Sequence, residues 1–131
     1  MNSRKALAVG ALWMALAVVL GAFGAHGLED LLTRTGHVAT WETAVRYQAW
    51  HALGLVALGL LTTHRDLAGA GRATGWLMLV GSLLFSGSLY VLSVEPSETW
   101  LGPVTPVGGF LMILAWAGFA RTALALPKDP S

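Results

Sequence analysis

The chain has no cysteine among its 131 residues. Disulfides, thiolate metal sites and cysteine nucleophiles are therefore excluded, leaving histidine and carboxylate as ligand types. Charge is the second scarcity: Asp, Glu, Lys and Arg make up 11% of the sequence, against about a quarter in a soluble domain. No basic cluster invites nucleic acid. There is no glycine loop with an adjacent lysine, no His-Glu-x-x-His pair and no intramembrane Ser-His-Asp set, so nucleotide binding, zincin chemistry and triad catalysis lack their parts. The expectation is a protein that is not an enzyme.

What is present is apolar. Hydrophobic residues form 55% of the chain and gather into four charge-free stretches: 6–25, 47–63, 73–94 and 100–120. Each approaches the length at which a helix rising about 1.5 Å per residue crosses about 30 Å of hydrocarbon. The sequence thus predicts an all-α fold, an integral membrane four-helix bundle forming one domain over 1–131. Its spans are placed at roughly 6–26, 41–63, 73–94 and 105–124. The first run follows Arg4 and Lys5 and mimics a signal peptide, but it is long and has no Ala-x-Ala end, so it reads as a retained span. The segment 28–40 is too charged to cross. Leu28, Leu31 and Leu32 followed by Val38 recur at helical spacing around Gly36, which predicts an interfacial amphipathic segment between the first two spans. Thr40 is the expected N-cap of the second span, and Thr105, with Pro106 behind it, that of the fourth.

Four spans put the termini and the second connection on one side. That side carries Arg4, Lys5, Arg65, Arg72, Arg121 and Lys128 against Asp66 and Asp129; the other carries Arg34 and Arg46 against Glu29, Asp30, Glu42, Glu95 and Glu98. The positive-inside rule then expects a multi-pass protein of the inner (plasma) membrane with both termini cytoplasmic. Small residues Gly21, Gly24, Gly81, Gly87, Gly108 and Gly109 are the expected helix-packing positions, because backbones must approach closely where lipid supplies no hydrophobic drive for association.

Among the polar residues inside or at the ends of the spans, His26, Tyr47, Gln48, His51, Ser86, Tyr90 and Thr105 form the candidate cluster. Topology gathers them toward the outer half, where they form a candidate ligand site or a set of interhelical hydrogen bonds. A metal, if bound at all, would use His26 and His51 with help from Gln48 or Tyr90. Bis-histidine haem between the first two spans meets the objection that closely packed helices leave little space for a macrocycle. No cofactor is identified.

The ordered motifs Gly21-Ala22-Phe23-Gly24-Ala25-His26-Gly27-Leu28, Ala44-Val45-Arg46-Tyr47-Gln48 with His51-Ala52-Leu53, Gly81-Ser82-Leu83-Leu84-Phe85-Ser86-Gly87-Ser88-Leu89-Tyr90 and Thr105-Pro106-Val107-Gly108-Gly109 closely resemble one family. The chain is similar to the YgdD-like inner-membrane proteins, domain-of-unknown-function family 423, which includes the eukaryotic transmembrane protein 256. The resemblance implies a small four-helix membrane protein and attaches no activity to it. Two functional readings follow. One is an accessory or assembly component of a membrane complex or homo-oligomer, with the lipid bilayer and other membrane proteins as partners. The other is a binder of a metal ion, quinone or lipid at the polar cluster.

Overall fold

The computed structural model describes residues 1–63, 67, 69 and 71–127. Arg65, Asp66, Lys128 and Asp129, which entered the charge comparison, lie outside the described residues. Helices and turns make up all the regular structure among the described residues: α1 (Ser3–Ala25), α2 (Glu29–Thr35), α3 (Val38–Leu61), α4 (Gly71–Val94), a 3-10 turn (Thr99–Leu101) and α5 (Val104–Leu124).

Local chemistry sets the ends of these helices. Asn2 caps α1, its side chain accepting from the Lys5 amide at 2.8 Å, so the helix starts three residues before the apolar run. Gly36 ends α2 in the left-handed region at φ 71°, where a side chain would be strained. The chain then turns back into a helix at Val38, with His37 in the capping position and no side-chain cap. Thr40 consequently lies within α3 rather than at its cap. Thr105 does not cap α5 either, since that helix starts at Val104 behind Pro103. Its hydroxyl instead meets that of Ser88 at 2.6 Å. At the far end of α1, the Met1 ammonium donates to the Arg72 carbonyl at 3.2 Å. Partial burial there, with Arg72 and Lys5 nearby, holds this amine below its usual pKa.

The helices pack in sequence: α3 runs antiparallel to both α1 and α4, and α4 antiparallel to α5. Along the first seam a Cβ on Gly10 would lie 2.9 Å from the Ala52 carbonyl, and one on Gly59 3.0 Å from that of Ser3. At the last seam Gly108 sits against the backbone of Phe85, with the Gly81 carbonyl 2.7 Å from where its Cβ would be. Of the six glycines expected to pack, Gly24 seats the Trp41 indole and Gly21 approaches Val45 at 3.4 Å. Gly109 makes only ordinary contact with Phe85 at 3.7 Å, and nothing lies within 4 Å of Gly87. Gly87 is therefore not a packing position within the chain.

The exterior is apolar and the interior carries the polar atoms. Leu12 is 71% exposed and Ile113 67%, while Gln48, Ser82 and Ser86 are fully buried. Such a surface is unfavourable in water and ordinary in lipid. Three helical stretches are long and apolar enough to cross a membrane: Ser3–Ala25, Gly71–Val94 and Thr99–Leu124. α3 is of equal length but is not among them; Glu42, Arg46, Gln48 and His51 interrupt its apolar run. The connecting segment does not lie free. Leu32 of α2 is buried, and the Thr35 hydroxyl donates to the Ser93 carbonyl at the end of α4 at 2.8 Å.

Candidate functional site

Because α3 lies between α1 and α4, its inward side chains meet both neighbours. Gln48, opposite the middle of α1, donates from Nε2 to the Trp13 carbonyl at 3.0 Å. Its Oε1 accepts from the Tyr90 hydroxyl at 2.7 Å. The Trp13 indole donates to Ser82 Oγ at 3.0 Å, and the Ser82 hydroxyl donates in turn to the Leu79 carbonyl at 3.1 Å. Three helices are thereby joined at one level. Nearer α2, the Ser86 hydroxyl donates to the Ala44 carbonyl at 2.7 Å. The Tyr90 ring rests against Trp41 with centroids 4.6 Å apart. Trp41 is anchored in turn by a 2.9 Å bond from its indole to the Leu20 carbonyl.

His51 forms a second group, deeper along α3. Its Nδ1 lies 2.6 Å from the Tyr47 carbonyl, and its Nε2 faces the Trp116 indole nitrogen at 3.1 Å. A carbonyl only accepts and an indole N–H only donates, so Nδ1 carries the proton and Nε2 presents its lone pair. The imidazole is thus neutral, and both nitrogens are engaged. Tyr47 stacks on His51 at 6.2 Å and contacts Phe85 at 4.6 Å.

The structure joins Gln48 to Tyr90, places Ser86 beside them and sets Tyr47 on His51. Thr105 stands apart, on the α4–α5 seam with Ser88. His26 is exposed at the C-cap of α1 and does not approach His51. With Leu20 beside Trp41 and Gly10 beside Ala52, His51 faces a level of α1 some fifteen residues before His26, or about 20 Å away along the axis. Among the described residues no group of three or more His, Asp or Glu could hold a metal ion. The residues that sequence reasoning underweighted are Trp13, Trp41, Ser82 and Trp116. Their signal was an indole N–H in an apolar helix, which needs an acceptor when buried.

This polar core is closed on itself. Among the described residues, the one buried side-chain polar atom without a partner is Nδ1 of His37, outside this network. The surface clefts lie outside the Gln48 and His51 groups, sharing Trp41 and Phe85 with their edges. One lies between α1, α2 and α3, and a smaller one beside Thr40, Phe85 and Thr105. An interior in which the buried polar atoms of Gln48, His51, Ser82 and Ser86 each have a partner suits fixing helices in register.

Comparison with known proteins agrees with the apolar exterior. The family described as "Protein of unknown function (DUF423)" matches residues 20–109. The chain belongs to the DUF423 family. The matched stretch contains Trp41, Gln48, His51, Ser82, Ser86 and Tyr90, leaving only the indoles of Trp13 and Trp116 outside it. A UPF0382 membrane protein of Staphylococcus epidermidis (strain ATCC 12228) is 46% identical over 110 residues, 82% of this chain and 85% of its own. The UPF0382 membrane protein YwdK of Bacillus subtilis (strain 168) is 45% identical over 108 residues, 82% of this chain and 86% of its own. Similarity extends to a UPF0382 membrane protein of Schizosaccharomyces pombe (strain 972), 39% identical over 113 residues, 83% of this chain and 92% of its own. No solved structure matches the chain. By its own helices and by its family, this is an α-helical membrane protein.

Proposed function

We propose that the protein is an accessory or assembly component of a membrane complex or homo-oligomer, acting through its shape and outer helix faces. The observation that carries this reading is the closed polar core. Both nitrogens of His51, both ends of the Gln48 amide and the Tyr90 hydroxyl are engaged within the chain, which supports scaffolding over chemistry. Among the described residues, most of the chain lies in the helices. In this reading α3 is a fourth crossing whose polar residues are tolerated because its neighbours cover them. Arg4, Lys5, Arg72 and Arg121 then mark the cytoplasmic end in the plasma (inner) membrane, and Glu29, Asp30, Glu42, Glu95 and Glu98 gather at the other.

Purification in mild detergent without crosslinker tests the assembly role: a defined partner or homo-oligomer is expected, and a clean monomer with nothing bound overturns it. Topology is read separately by single cysteines at Ser3 and Ser97 in the otherwise cysteine-free chain. In intact cells an impermeant thiol reagent should label only the Ser97 position; labelling of Ser3 with protection of Ser97 inverts the orientation.

A further inference from the structure

We infer that the cleft between α1, α2 and α3 is a binding site for the headgroup of an aminophospholipid, a phosphoethanolamine with its acyl chains attached. This goes beyond the assembly role and does not rest on it. The cleft has a volume of about 680 Å³, within the range of small-molecule sites. Gly21, Gly24 and Ala25 of α1 line it, and the Trp41 indole, seated on Gly24, forms a wall. That wall is fixed, since the indole is bonded to the Leu20 carbonyl at 2.9 Å.

The rim carries Glu29 of α2 and Glu42 and Arg46 of α3, all exposed. Glu42 and Arg46 are one helical turn apart, yet no hydrogen bond joins their side chains among the described residues, so both charges remain available to an occupant. An ammonium suits the two carboxylates and a phosphate diester suits the guanidinium. One ligand carrying both charges on a short linker matches the rim. An anionic headgroup would meet two carboxylates with one cation, and a quaternary ammonium has no N–H to donate to them.

The surroundings argue for a lipid rather than a soluble zwitterion. On α1 the line through Ala25 and Gly21 continues to Val18, 65% exposed. On α3 the line through Glu42 and Arg46 continues to Trp50 and Leu53, both exposed. The charged rim therefore opens onto apolar tracks along which acyl chains can lie, and it sits where α1 ends and the chain turns, the depth at which headgroups reside.

The full chain, purified in mild detergent and delipidated, is offered phosphatidylethanolamine, phosphatidylcholine and phosphatidylglycerol of identical acyl composition. Retention is read by native mass spectrometry. The wild type should retain one phosphatidylethanolamine at least tenfold over the other two. Glu42→Gln with Arg46→Gln should lose that preference with unchanged thermal unfolding, whereas Arg46→Lys should keep it. Ala25→Met, which enlarges an exposed residue lining the cleft on a different helix, should also lose it, so the inference remains testable if the double variant folds poorly. Equal retention of the three lipids, preference for phosphatidylglycerol, a preference that survives both the double variant and Ala25→Met, or a second copy of the chain held at this cleft would each overturn the inference. Binding of soluble glycerophosphoethanolamine as tightly as the lipid would overturn its lipid element.

Discussion

The two seams on either side of α4 hold by different means. Between α4 and α5, Gly81 and Gly108 bring backbone against backbone, with the Gly108 Cβ direction blocked by Phe85 and by the Gly81 carbonyl at 2.7 Å. Between α4 and the α1–α3 pair, polar side chains meet: Trp13 on Ser82 at 3.0 Å, Tyr90 on Gln48 at 2.7 Å and Ser86 on the Ala44 carbonyl at 2.7 Å. Surrounded by hydrocarbon, helices gain nothing from burying apolar surface against one another. The first seam gains dispersion by close approach and fails when volume is added. The second gains direction from hydrogen bonds and fails when a polar atom is left alone.

Gly108→Leu should therefore have the largest effect. Its Cβ would meet main-chain atoms, which cannot rotate away as a flexible side chain can, so α4 and α5 must separate. The expected loss is about 3 kcal/mol or more, beyond the usual range for overpacking. Thermal unfolding in detergent measures it. A second readout is specific to the seam: cysteines replacing Ser88 and Thr105, whose oxygens lie 2.6 Å apart, should oxidise to a disulfide in the parent chain and not in the Gly108→Leu background. Retained disulfide yield would show that glycine does not set this seam.

Gln48→Leu comes next, because one substitution removes the acceptor of Tyr90 and the donor to Trp13. Interhelical hydrogen bonds in membranes average about 0.6 kcal/mol, and leaving a buried hydroxyl unpaired adds to this, so about 1–2 kcal/mol is expected. Tyr90→Phe should cost less, about 1 kcal/mol, since the Gln48 bond to Trp13 survives. Because both changes break the same bond, the double variant should be less destabilised than the sum of the singles. Strict additivity in thermal unfolding would mean that the bond contributes nothing.

Much of the helix pattern was legible because hydrocarbon imposes it: α1, α4 and α5 follow the apolar runs to within a few residues. Depth within the helices was not. The second span was placed at 41–63 and the helix begins at Val38, so His51 lies thirteen residues, about 20 Å, along the helix from its α2 end. His26, at the end of α1, stays behind, so the two histidines separate. The network around Gln48 was legible as a set of polar residues, since each is costly in an apolar helix. Its completion by Trp13 and Trp116 was not, because a tryptophan counts as apolar in any hydropathy sum while its indole nitrogen still needs an acceptor.

Glycine is the residue whose role composition reads least well, and the smallest prediction isolates why. Gly81, Gly87, Gly108 and Gly109 look alike as small residues, but side chains advance about 100° per residue around a helix. Gly109 is thus turned off the seam that Gly108 occupies, and Gly87, six residues after Gly81, points away from it. Ser88, seven residues after Gly81, returns to the seam and meets Thr105. Nothing lies within 4 Å of a Cβ on Gly87, so Gly87→Ala adds a methyl to open surface and removes the conformational freedom that glycine brings to a helix interior. The expected outcome is a gain of roughly half a kcal/mol in thermal unfolding. The same change at Gly81, whose Cβ would lie 2.9 Å from the Met112 amide nitrogen, should be destabilising. A loss at Gly87 comparable to that at Gly81 would mean that a second protein surface covers this face of α4 in the membrane.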